Sequence, residues 1–173
     1  MVQTTRFDSP IGELILASTE KGLAYLGLPR ANGRGFAGWH RRHAQEEEVA
    51  DGQERNQCAM AQVKEFLEGK RQTFDLELDL RATPFQLSVY QILDEIPYGE
   101  AISYAEVARR LGRPSAVRAV GSANGSNPMP LIVPCHRVVA ADGQLHGYAG
   151  GVDLKARLLA MESATRPAAG QLF

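Results

Sequence analysis

The chain has 173 residues, of which 44% are hydrophobic and 23% are charged, with 17 Gly, 9 Pro and 2 Cys. Soluble domains average about 45–50% apolar and about 25% charged residues, so these proportions exclude a disordered, collagen-like or disulfide-stapled chain. The formal charge of −1 gives no sign of a nucleic-acid partner at the level of the whole chain.

The N-terminal region and the cysteines indicate where the protein works. No apolar stretch approaches the about 18 residues of a membrane span. Asp8, Ser9 and Pro10 lie where a signal peptide needs an apolar stretch. We therefore expect a cytoplasmic protein with no membrane partner. In a reducing compartment Cys58 and Cys135 are expected to be free thiols rather than a disulfide.

The N-terminal part of the chain predicts a small sheet with one helix. Three apolar runs separated by turn residues span 2–28 and indicate an antiparallel meander. Residues 31–50 are polar and aperiodic, so we expect an irregular or poorly ordered loop. Apolar residues at helical spacing over 56–69 predict a helix, and strict alternation over 73–80 predicts a strand.

The sequence after residue 81 predicts helices with clear starts. Thr83 is a capping residue followed by Pro84 at the first helical position, and Ser103 begins a Ser-x-x-Glu capping box. A third helix can begin at Ser115. The last two are joined by Gly-Arg-Pro-Ser, which predicts a helix-turn-helix.

The charge is distributed unevenly along the chain. Residues 1–80 carry 10 Lys and Arg against 13 Asp and Glu, whereas 104–137 carry five arginines against one glutamate. A basic patch of this kind supplies the sequence-independent part of DNA binding, although a solvated helix face is the alternative. Residues 115–124 lack the Gln, Asn and Lys series that reads base edges. Sequence-specific binding is therefore not expected.

A candidate nucleophile follows a short apolar run. Residues 131–133 predict a buried strand that ends at Pro134, Cys135 and His136. A thiol needs a neighbouring base to react at neutral pH, and a base needs a third group that fixes its tautomer; Glu162 in the last helix is a candidate. The alternative is an inert buried cysteine beside an unrelated histidine. No set of four ligands at zinc spacing is present, so no metal is expected.

The residues around Cys135 resemble the active-site signature of the O6-alkylguanine-DNA alkyltransferases. The resemblance runs over 127–139 and continues through 83–86, 96–99, 102–104, 118–121, 123–128, 147–151 and Glu162. It implies an α+β protein with an N-terminal α/β domain, 1–80, that holds an antiparallel sheet with a helix and is ribonuclease-H-like. The C-terminal domain, 81–173, is then mainly helical, with a winged-helix-like helix-turn-helix.

The resemblance also implies an activity: direct, stoichiometric DNA repair. The alkyl group of O6-alkylguanine, and of O4-alkylthymine, moves to a cysteine of the protein after the base has been flipped out. Cys135 matches the acceptor and His136 the residue that deprotonates it through a water. Glu162 matches the carboxylate that orients the histidine, Asn127 the hinge residue, and Tyr104 the residue that protonates the leaving guanine.

The resemblance assigns the partner and the contact residues as well. The partner is double-stranded DNA, bound at the minor groove without sequence specificity by a monomer that uses no cofactor and no metal. Arg118 matches the finger that fills the stack after the base leaves. The other DNA-contact residues are Ser115, Ala119, Gly121, Ser122 and Asn124. The pocket residues are Met129, Pro130, Val138, Tyr148, Ala149 and Gly150.

Two departures from the family pattern and three alternatives accompany this hypothesis. Tyr90 stands where the family usually has Trp, which we interpret as a packing change, and the ligands of the zinc found in some members are missing. The first alternative is a protein that binds alkylated DNA without repairing it, against which Cys135 argues. The others are a cysteine-dependent hydrolase and a transcriptional regulator built on the helix-turn-helix.

Overall fold

The computed structural model of the chain describes residues 1–29, 35–143, 145, 148 and 150–165. Ala149, one of the predicted pocket residues, lies outside the described residues. Within them, no helix is both long and apolar enough to cross a membrane.

A four-stranded sheet forms the N-terminal part. The strands are β1 (Val2–Ser9), β2 (Gly12–Thr19) and β3 (Gly22–Gly27). The pairs β1–β2 and β2–β3 are antiparallel, which confirms the predicted meander. A short strand β4 (Val49–Asp51) pairs parallel with β1, so that the order across the sheet is β3-β2-β1-β4.

One helix packs on each side of this sheet. The predicted helix is α2 (Gln57–Leu67), and its Val63 and Phe66 are fully buried in the main core. The other helix, α1 (Gly35–His43), covers the opposite face, where Trp39 lies 5.6 Å from the ring of Tyr25. The prediction of an irregular loop over 31–50 is therefore wrong in its described part, because burial of Trp39, with Phe36 packed against the same cluster, anchors a helix that has no regular apolar period.

The predicted strand over 73–80 is also wrong. This segment joins the sheet through an isolated parallel bridge between Leu23 and Leu78 and forms no ladder. Instead, the side chain of Gln62 hydrogen-bonds both backbone groups of Asp75, at 2.9 and 3.0 Å. A side chain of α2 thus replaces the neighbouring strand that the backbone of this segment would otherwise need.

The C-terminal part is mainly helical, with a small two-stranded sheet whose strands are parallel. Its elements are α3 (Pro84–Asp94), β5 (Ile102–Ser103), α4 (Tyr104–Arg110), α5 (Val117–Gly125), β6 (Val138–Val139) and α6 (Val152–Thr165). The helix-turn-helix is formed by α4 and α5, and α5 begins two residues later than Ser115.

Local sequence determines where α3 and α4 begin. The Thr83 hydroxyl accepts from the Gln86 N–H at 3.2 Å while the Gln86 side chain accepts from the Thr83 N–H at 3.0 Å, so the capping box is complete. The Ser103 hydroxyl caps α4 by accepting from the Glu106 N–H at 3.0 Å. The Glu106 carboxylate instead bonds two arginines of its own helix, so only half of the predicted box forms.

The two parts share one hydrophobic core that runs from the sheet and α2 to the C-terminal helices. The Leu26 N–H of β3 donates to the Pro128 carbonyl at 2.9 Å, which anchors the loop after α5 to the edge of the sheet. Inside the core, the Tyr90 hydroxyl of α3 donates to the Ala123 carbonyl of α5 at 2.8 Å. Tyr90 therefore contributes a hydrogen bond between helices as well as packing.

The Tyr90 hydrogen bond can be tested by Tyr90→Phe. We expect a loss of about 1–2 kcal/mol in the free energy of unfolding, because a buried hydroxyl bond is removed. Urea denaturation measures this loss. The control is Tyr98→Phe, which removes an exposed bond to the Thr165 hydroxyl at 2.5 Å and keeps the ring. Equal losses in the two variants would contradict this role of Tyr90.

Candidate active site

Cys135 begins a single 3₁₀ turn (Cys135–Arg137) and is 3% exposed. The strand predicted over 131–133 is wrong, although the segment is buried as expected. Leu131 has a φ of 76°, outside the extended region, and the Val133 N–H donates to the Met129 carbonyl at 2.9 Å to close a turn. The thiol therefore lies on a tight loop rather than at the end of a strand.

Asn127 holds this loop in shape. Its side-chain Nδ2 donates to the Val133 carbonyl at 2.8 Å, and its Oδ1 accepts from the Met129 N–H at 3.0 Å. Asn127 follows closely after α5, so these two bonds connect the end of the helix-turn-helix to the loop that carries Cys135. The placement agrees with a hinge position.

Glu162 of α6 is fully buried, and donors from two other segments engage its two oxygens. Arg137 donates to Oε1 from Nε at 2.8 Å and to Oε2 from Nη2 at 2.9 Å. The Gly99 N–H donates to Oε1 at 3.0 Å, and His136 Nε2 lies 2.6 Å from Oε2. Burial alone would raise the pKa of Glu162, but the bonds from His136 and Arg137 lower it to about 2. The carboxylate is therefore ionised at neutral pH.

This carboxylate fixes the form of His136. An ionised Glu162 accepts hydrogen bonds and donates none, so Nε2 of His136 carries the ring proton. Nδ1 is left as the acceptor; it is buried and has no hydrogen-bond partner among the described residues. Burial lowers the pKa of His136 and outweighs the opposing effect of Glu162. The imidazole is therefore neutral at neutral pH and able to take a proton at Nδ1.

Cys135 needs such a base. Burial raises the pKa of its thiol to about 11, against the smaller lowering effects of a hydrogen bond with Asn127 and of the positive charge of Lys155. The thiol is therefore protonated at neutral pH. Its proton has to be removed before or during the attack, because the thiolate is the nucleophile.

Tyr104 lies on the first turn of α4, within electrostatic reach of Cys135. Burial raises the pKa of its hydroxyl, as does the negative charge of Cys135, while a hydrogen bond from the Asn124 side chain lowers it. Asn124 was expected among the DNA contacts, but it is only 3% exposed, and its Nδ2 donates to the Cys135 carbonyl at 3.3 Å. The reason is helical periodicity, because Asn124 shares the buried face of α5 with Val120.

The other predicted DNA contacts lie on the outer side of the helix-turn-helix. Gly121 is half-buried, and the exposed members of this group are Ser115, Arg118, Ala119 and Ser122. Small residues therefore line a surface from which one long arginine side chain projects.

The basic patch is smaller than its sequence count. Arg137 is 6% exposed and bound to Glu162, so it does not contribute to a surface. Four arginines of the patch are exposed, and Glu106 pairs with two of them, Arg109 and Arg110, at 2.6 and 2.8 Å. Arg113 and Arg118 complete the patch. Its positive charge is therefore concentrated around the turn and the start of α5.

Five predicted pocket residues are buried near this loop and at the start of α6. They are Met129, Pro130, Val138, Tyr148 and Gly150. A Cβ at Gly150 would lie 2.5 Å from Leu154 Cδ2 and 3.0 Å from Leu28 Cδ1, so a larger residue there would require these leucine side chains to move. Their contacts with a substrate stay predictions.

Neither cysteine forms a disulfide, and Cys58 is exposed while Cys135 is buried. In the part of the chain that the structure describes, no group of three or more His, Cys, Asp or Glu side chains is arranged to hold a metal ion.

Sequence reasoning missed three contributions to the site. It counted Arg137 as a surface charge, and it did not connect Gly99 with Glu162. It also passed over Lys155, which is fully buried and donates to the Tyr104 hydroxyl at 3.3 Å. The available signal was the spacing of Lys155, Leu158 and Glu162, which places all three on one face of α6.

Glu162→Gln tests the buried network. We expect a loss of about 3–5 kcal/mol in unfolding free energy, because the charge of Arg137 remains buried without its counter-charge. The loss is measured at pH 7 by chemical denaturation. The control is Glu106→Gln, which removes a carboxylate from two exposed arginines and is expected to have little effect. A comparable loss in the two variants would be incompatible with this description of Glu162.

Comparisons with known proteins agree on one family for both parts of the chain. The ribonuclease-like domain of 6-O-methylguanine DNA methyltransferase matches residues 2–80, and its DNA binding domain matches residues 84–164. A methylated-DNA--protein-cysteine methyltransferase of Mycolicibacterium paratuberculosis is 41% identical and covers 100% of this chain and 99% of its own length. The constitutive enzyme of Bacillus subtilis is 41% identical over 91% of this chain and 93% of its own length.

Solved structures give the same result. The crystal structure of Mycobacterium tuberculosis O6-methylguanine methyltransferase has a TM-score of 0.81 and 42% identity, and covers 100% of this chain and 99% of that one. The M. tuberculosis OGT in complex with DNA has a TM-score of 0.81 and 40% identity, with 96% of each chain covered. On its sequence, its fold and the geometry around Cys135, this chain belongs to the 6-O-methylguanine DNA methyltransferase family.

Proposed function

We propose that this protein repairs DNA by transferring the alkyl group of O6-alkylguanine, and of O4-alkylthymine, to its own Cys135. The observation that carries the proposal is the arrangement of Cys135, His136 and Glu162. A buried thiol lies next in sequence to a neutral imidazole, whose Nδ1 is kept as an acceptor by an ionised carboxylate 2.6 Å from Nε2. The family membership of the whole chain supports the same activity.

The transfer is a single displacement in which atoms and charge balance. His136 Nδ1 takes the thiol proton of Cys135 through a water, and the sulfur attacks the alkyl carbon in line with its bond to O6. The S–C bond forms as the C–O6 bond breaks, and the electron pair passes to the guanine. Tyr104 gives the guanine a proton and is reprotonated from His136. The thiol proton has then moved to the guanine, and His136 is neutral again.

The role of Tyr104 is supported by its position. It lies at the start of α4, shares hydrogen bonds with Asn124 and Lys155, and interacts electrostatically with Cys135. A hydroxyl with a raised pKa remains protonated at neutral pH and is therefore available as a donor when the guanine leaves. Asn127 keeps the thiol loop and the helix-turn-helix in a fixed relation during the step.

The helix-turn-helix is proposed to bind double-stranded DNA at the minor groove without sequence specificity. Ala119 and Ser122 are exposed and small, so the backbone of α5 can approach a groove closely. The O6 atom lies inside the duplex, so the nucleotide must be flipped into the pocket, which costs a few kcal/mol and less for a damaged pair. Arg118 projects from the same surface and is proposed to fill the vacated space.

The reaction occurs once per molecule and needs no cofactor. A thioether is a poor leaving group, and among the residues that the structure describes none next to Cys135 is placed to remove the alkyl group. We propose that the protein acts as a monomer, with residues 1–80 as a supporting domain and 81–173 as the DNA-binding and transfer domain. The cytoplasmic location stays a prediction.

Two other functions are less well supported. A protein that only binds alkylated DNA does not need an acceptor thiol with an adjacent base. A cysteine-dependent hydrolase needs turnover of an acyl-enzyme and donors that stabilise an oxyanion. Two backbone amides beside the buried thiol are already hydrogen-bonded within its own loop, so they are not available as oxyanion donors. The Cys135 N–H donates to the Val133 carbonyl at 2.7 Å, and the Arg137 N–H donates to the Pro134 carbonyl at 3.0 Å.

The test is incubation of the full chain with a duplex oligonucleotide that contains one O6-methylguanine, followed by intact and peptide mass spectrometry. We expect one added methyl group per molecule, on the peptide of Cys135, and no turnover beyond one equivalent. Cys135→Ala should still bind DNA but transfer nothing. The matched control is Cys58→Ser, which removes the exposed cysteine and should react like the wild type. Continued turnover with unmodified Cys135 would refute the proposed function.

A further inference from the structure

Lys155 is a buried charged residue that the reaction scheme above does not use. It lies on α6 and has no exposed surface, although the next two residues, Ala156 and Arg157, are exposed. Lysine is almost never buried without a counter-charge or a network of acceptors, because the desolvation of an ammonium costs several kcal/mol. Its position in the site therefore requires a compensating interaction.

The contacts of Lys155 point at the reacting groups. Its Nζ donates to the Tyr104 hydroxyl at 3.3 Å and lies 5.6 Å from the centre of the Tyr104 ring. The charge of Lys155 lowers the pKa of Cys135, and a negative Cys135 raises that of Lys155, in each case against a larger effect of burial. The hydrogen bond places the ammonium at the oxygen where a tyrosinate would form, and the mutual effects on pKa show that the Cys135 sulfur lies within its electrostatic reach.

The other charged residue on this face of α6 has different partners. Glu162 lies two turns after Lys155, and its oxygens are occupied by Arg137, His136 and the Gly99 N–H. The negative charge of Glu162 is therefore balanced by these donors at one end of the site. The charge of Lys155 acts at the other end, toward Cys135 and Tyr104.

Negative charge appears at these two groups in succession. It is first on the Cys135 sulfur, when His136 takes the proton, and then on the Tyr104 oxygen, when the guanine is protonated. A fixed cation in a water-poor site stabilises such charge strongly, because it needs no reorganisation during the step. One buried ammonium near both atoms can serve both stages.

We propose that Lys155 is a positioning residue that stabilises the Cys135 thiolate and then the Tyr104 oxyanion, and that it keeps its own proton throughout. The second half of this proposal rests on the proposed function; the first half concerns the thiol alone. The titratable and charged groups that face this part of the site come from five segments. They are Tyr90 on α3, Tyr104 on α4, His136 and Arg137 on the 3₁₀ turn, Tyr148 before α6, and Glu162 on α6.

The experiment uses Lys155→Met, which keeps an unbranched side chain and removes the charge. All variants are made in the full chain with Cys58→Ser, so that Cys135 is the remaining thiol. The control is Lys64→Met, because Lys64 also lies 5.6 Å from an aromatic ring, that of Phe7, but on α2. Two quantities are measured: the pH dependence of Cys135 alkylation by iodoacetamide, and the single-turnover rate of methyl transfer from a duplex.

We expect Lys155→Met to raise the midpoint of the thiol titration by about one pH unit or more, which is a tenfold fall in thiolate at a given pH. Methyl transfer at pH 7.5 should fall by more than the thiolate fraction alone, because Tyr104 also loses its stabilising charge. A second substitution, Tyr104→Phe, should then cost less in Lys155→Met than in the wild type. Lys64→Met should leave the titration and the rate unchanged.

The proposal is overturned if the thiol midpoint is the same in Lys155→Met and wild type, even when the variant is less stable. If the Met variant does not fold, Lys155→Gln replaces it, since an amide keeps a donor toward Tyr104 while removing the charge. An unchanged thiol midpoint in Lys155→Gln would also overturn the proposal. Because iodoacetamide needs no DNA, a shifted midpoint in a protein that transfers no methyl group would support the role at the thiol and refute the proposed function.

Discussion

The ionised carboxylate of Glu162 organises the site, since it is buried and accepts hydrogen bonds from Arg137, His136 and Gly99. These donors belong to the 3₁₀ turn and to the loop after α3, while Glu162 itself belongs to α6. One charge therefore connects three segments that are distant in sequence. Arg137 also donates to the Ile96 carbonyl at 2.8 Å, which extends the network to the end of α3. Loss of the carboxylate would leave a guanidinium buried without compensation.

The same carboxylate determines the chemistry available to the thiol. The charge of Arg137 opposes the tendency of Glu162 to favour an imidazolium, so Glu162 orients His136 while the ring stays neutral. The histidine remains a neutral base and the cysteine a neutral thiol, because burial disfavours the charged form of each. A thiol in this state is protected from indiscriminate reaction. It becomes a nucleophile when a substrate occupies the site and the proton can pass to His136 Nδ1.

Charge at the scale of the whole chain was a poor guide to the partner. A formal charge of −1 conceals an arginine-rich segment that holds both the helix-turn-helix and the reactive cysteine. The structure divides the arginines of this segment between two functions. Arg137 is part of the buried hydrogen-bond network around Glu162, whereas Arg113 and Arg118 remain on the exposed face of the helix-turn-helix. A patch of this size is consistent with DNA binding that weakens as salt is added and whose selectivity for damaged sites comes from the flipped base.

Local signals in the sequence predicted local structure, and long-range contacts accounted for the errors. The capping box at Thr83 needs only residues within one helical turn, so the start of α3 was predictable. The helix α1 depends on Trp39 packing against Tyr25 from another element, which no local period reveals. The positive φ of Leu131 ended an apparent strand that residue type alone favoured.

The site was predictable to a similar degree. Cys135, His136 and Glu162 were identified from adjacency and from the family motif, whereas Lys155 was not. A lysine is normally exposed, and the contact of Lys155 with Tyr104 is visible only in the three-dimensional structure. Asn124 was predicted among the DNA contacts, but the helical period of α5 places it on the buried face.

The proposed transfer depends on the protonation state of His136, which nitrogen NMR of the full chain labelled at histidine measures directly. We expect a neutral ring at pH 7, with the proton on Nε2 and none on Nδ1, and a protonation midpoint below the ordinary value of 6.5. Glu162→Gln should abolish the preference for this tautomer. An imidazolium at pH 7, or a neutral ring with its proton on Nδ1, would contradict the proposed role of His136 as the base, because neither form can take the proton of Cys135 at Nδ1.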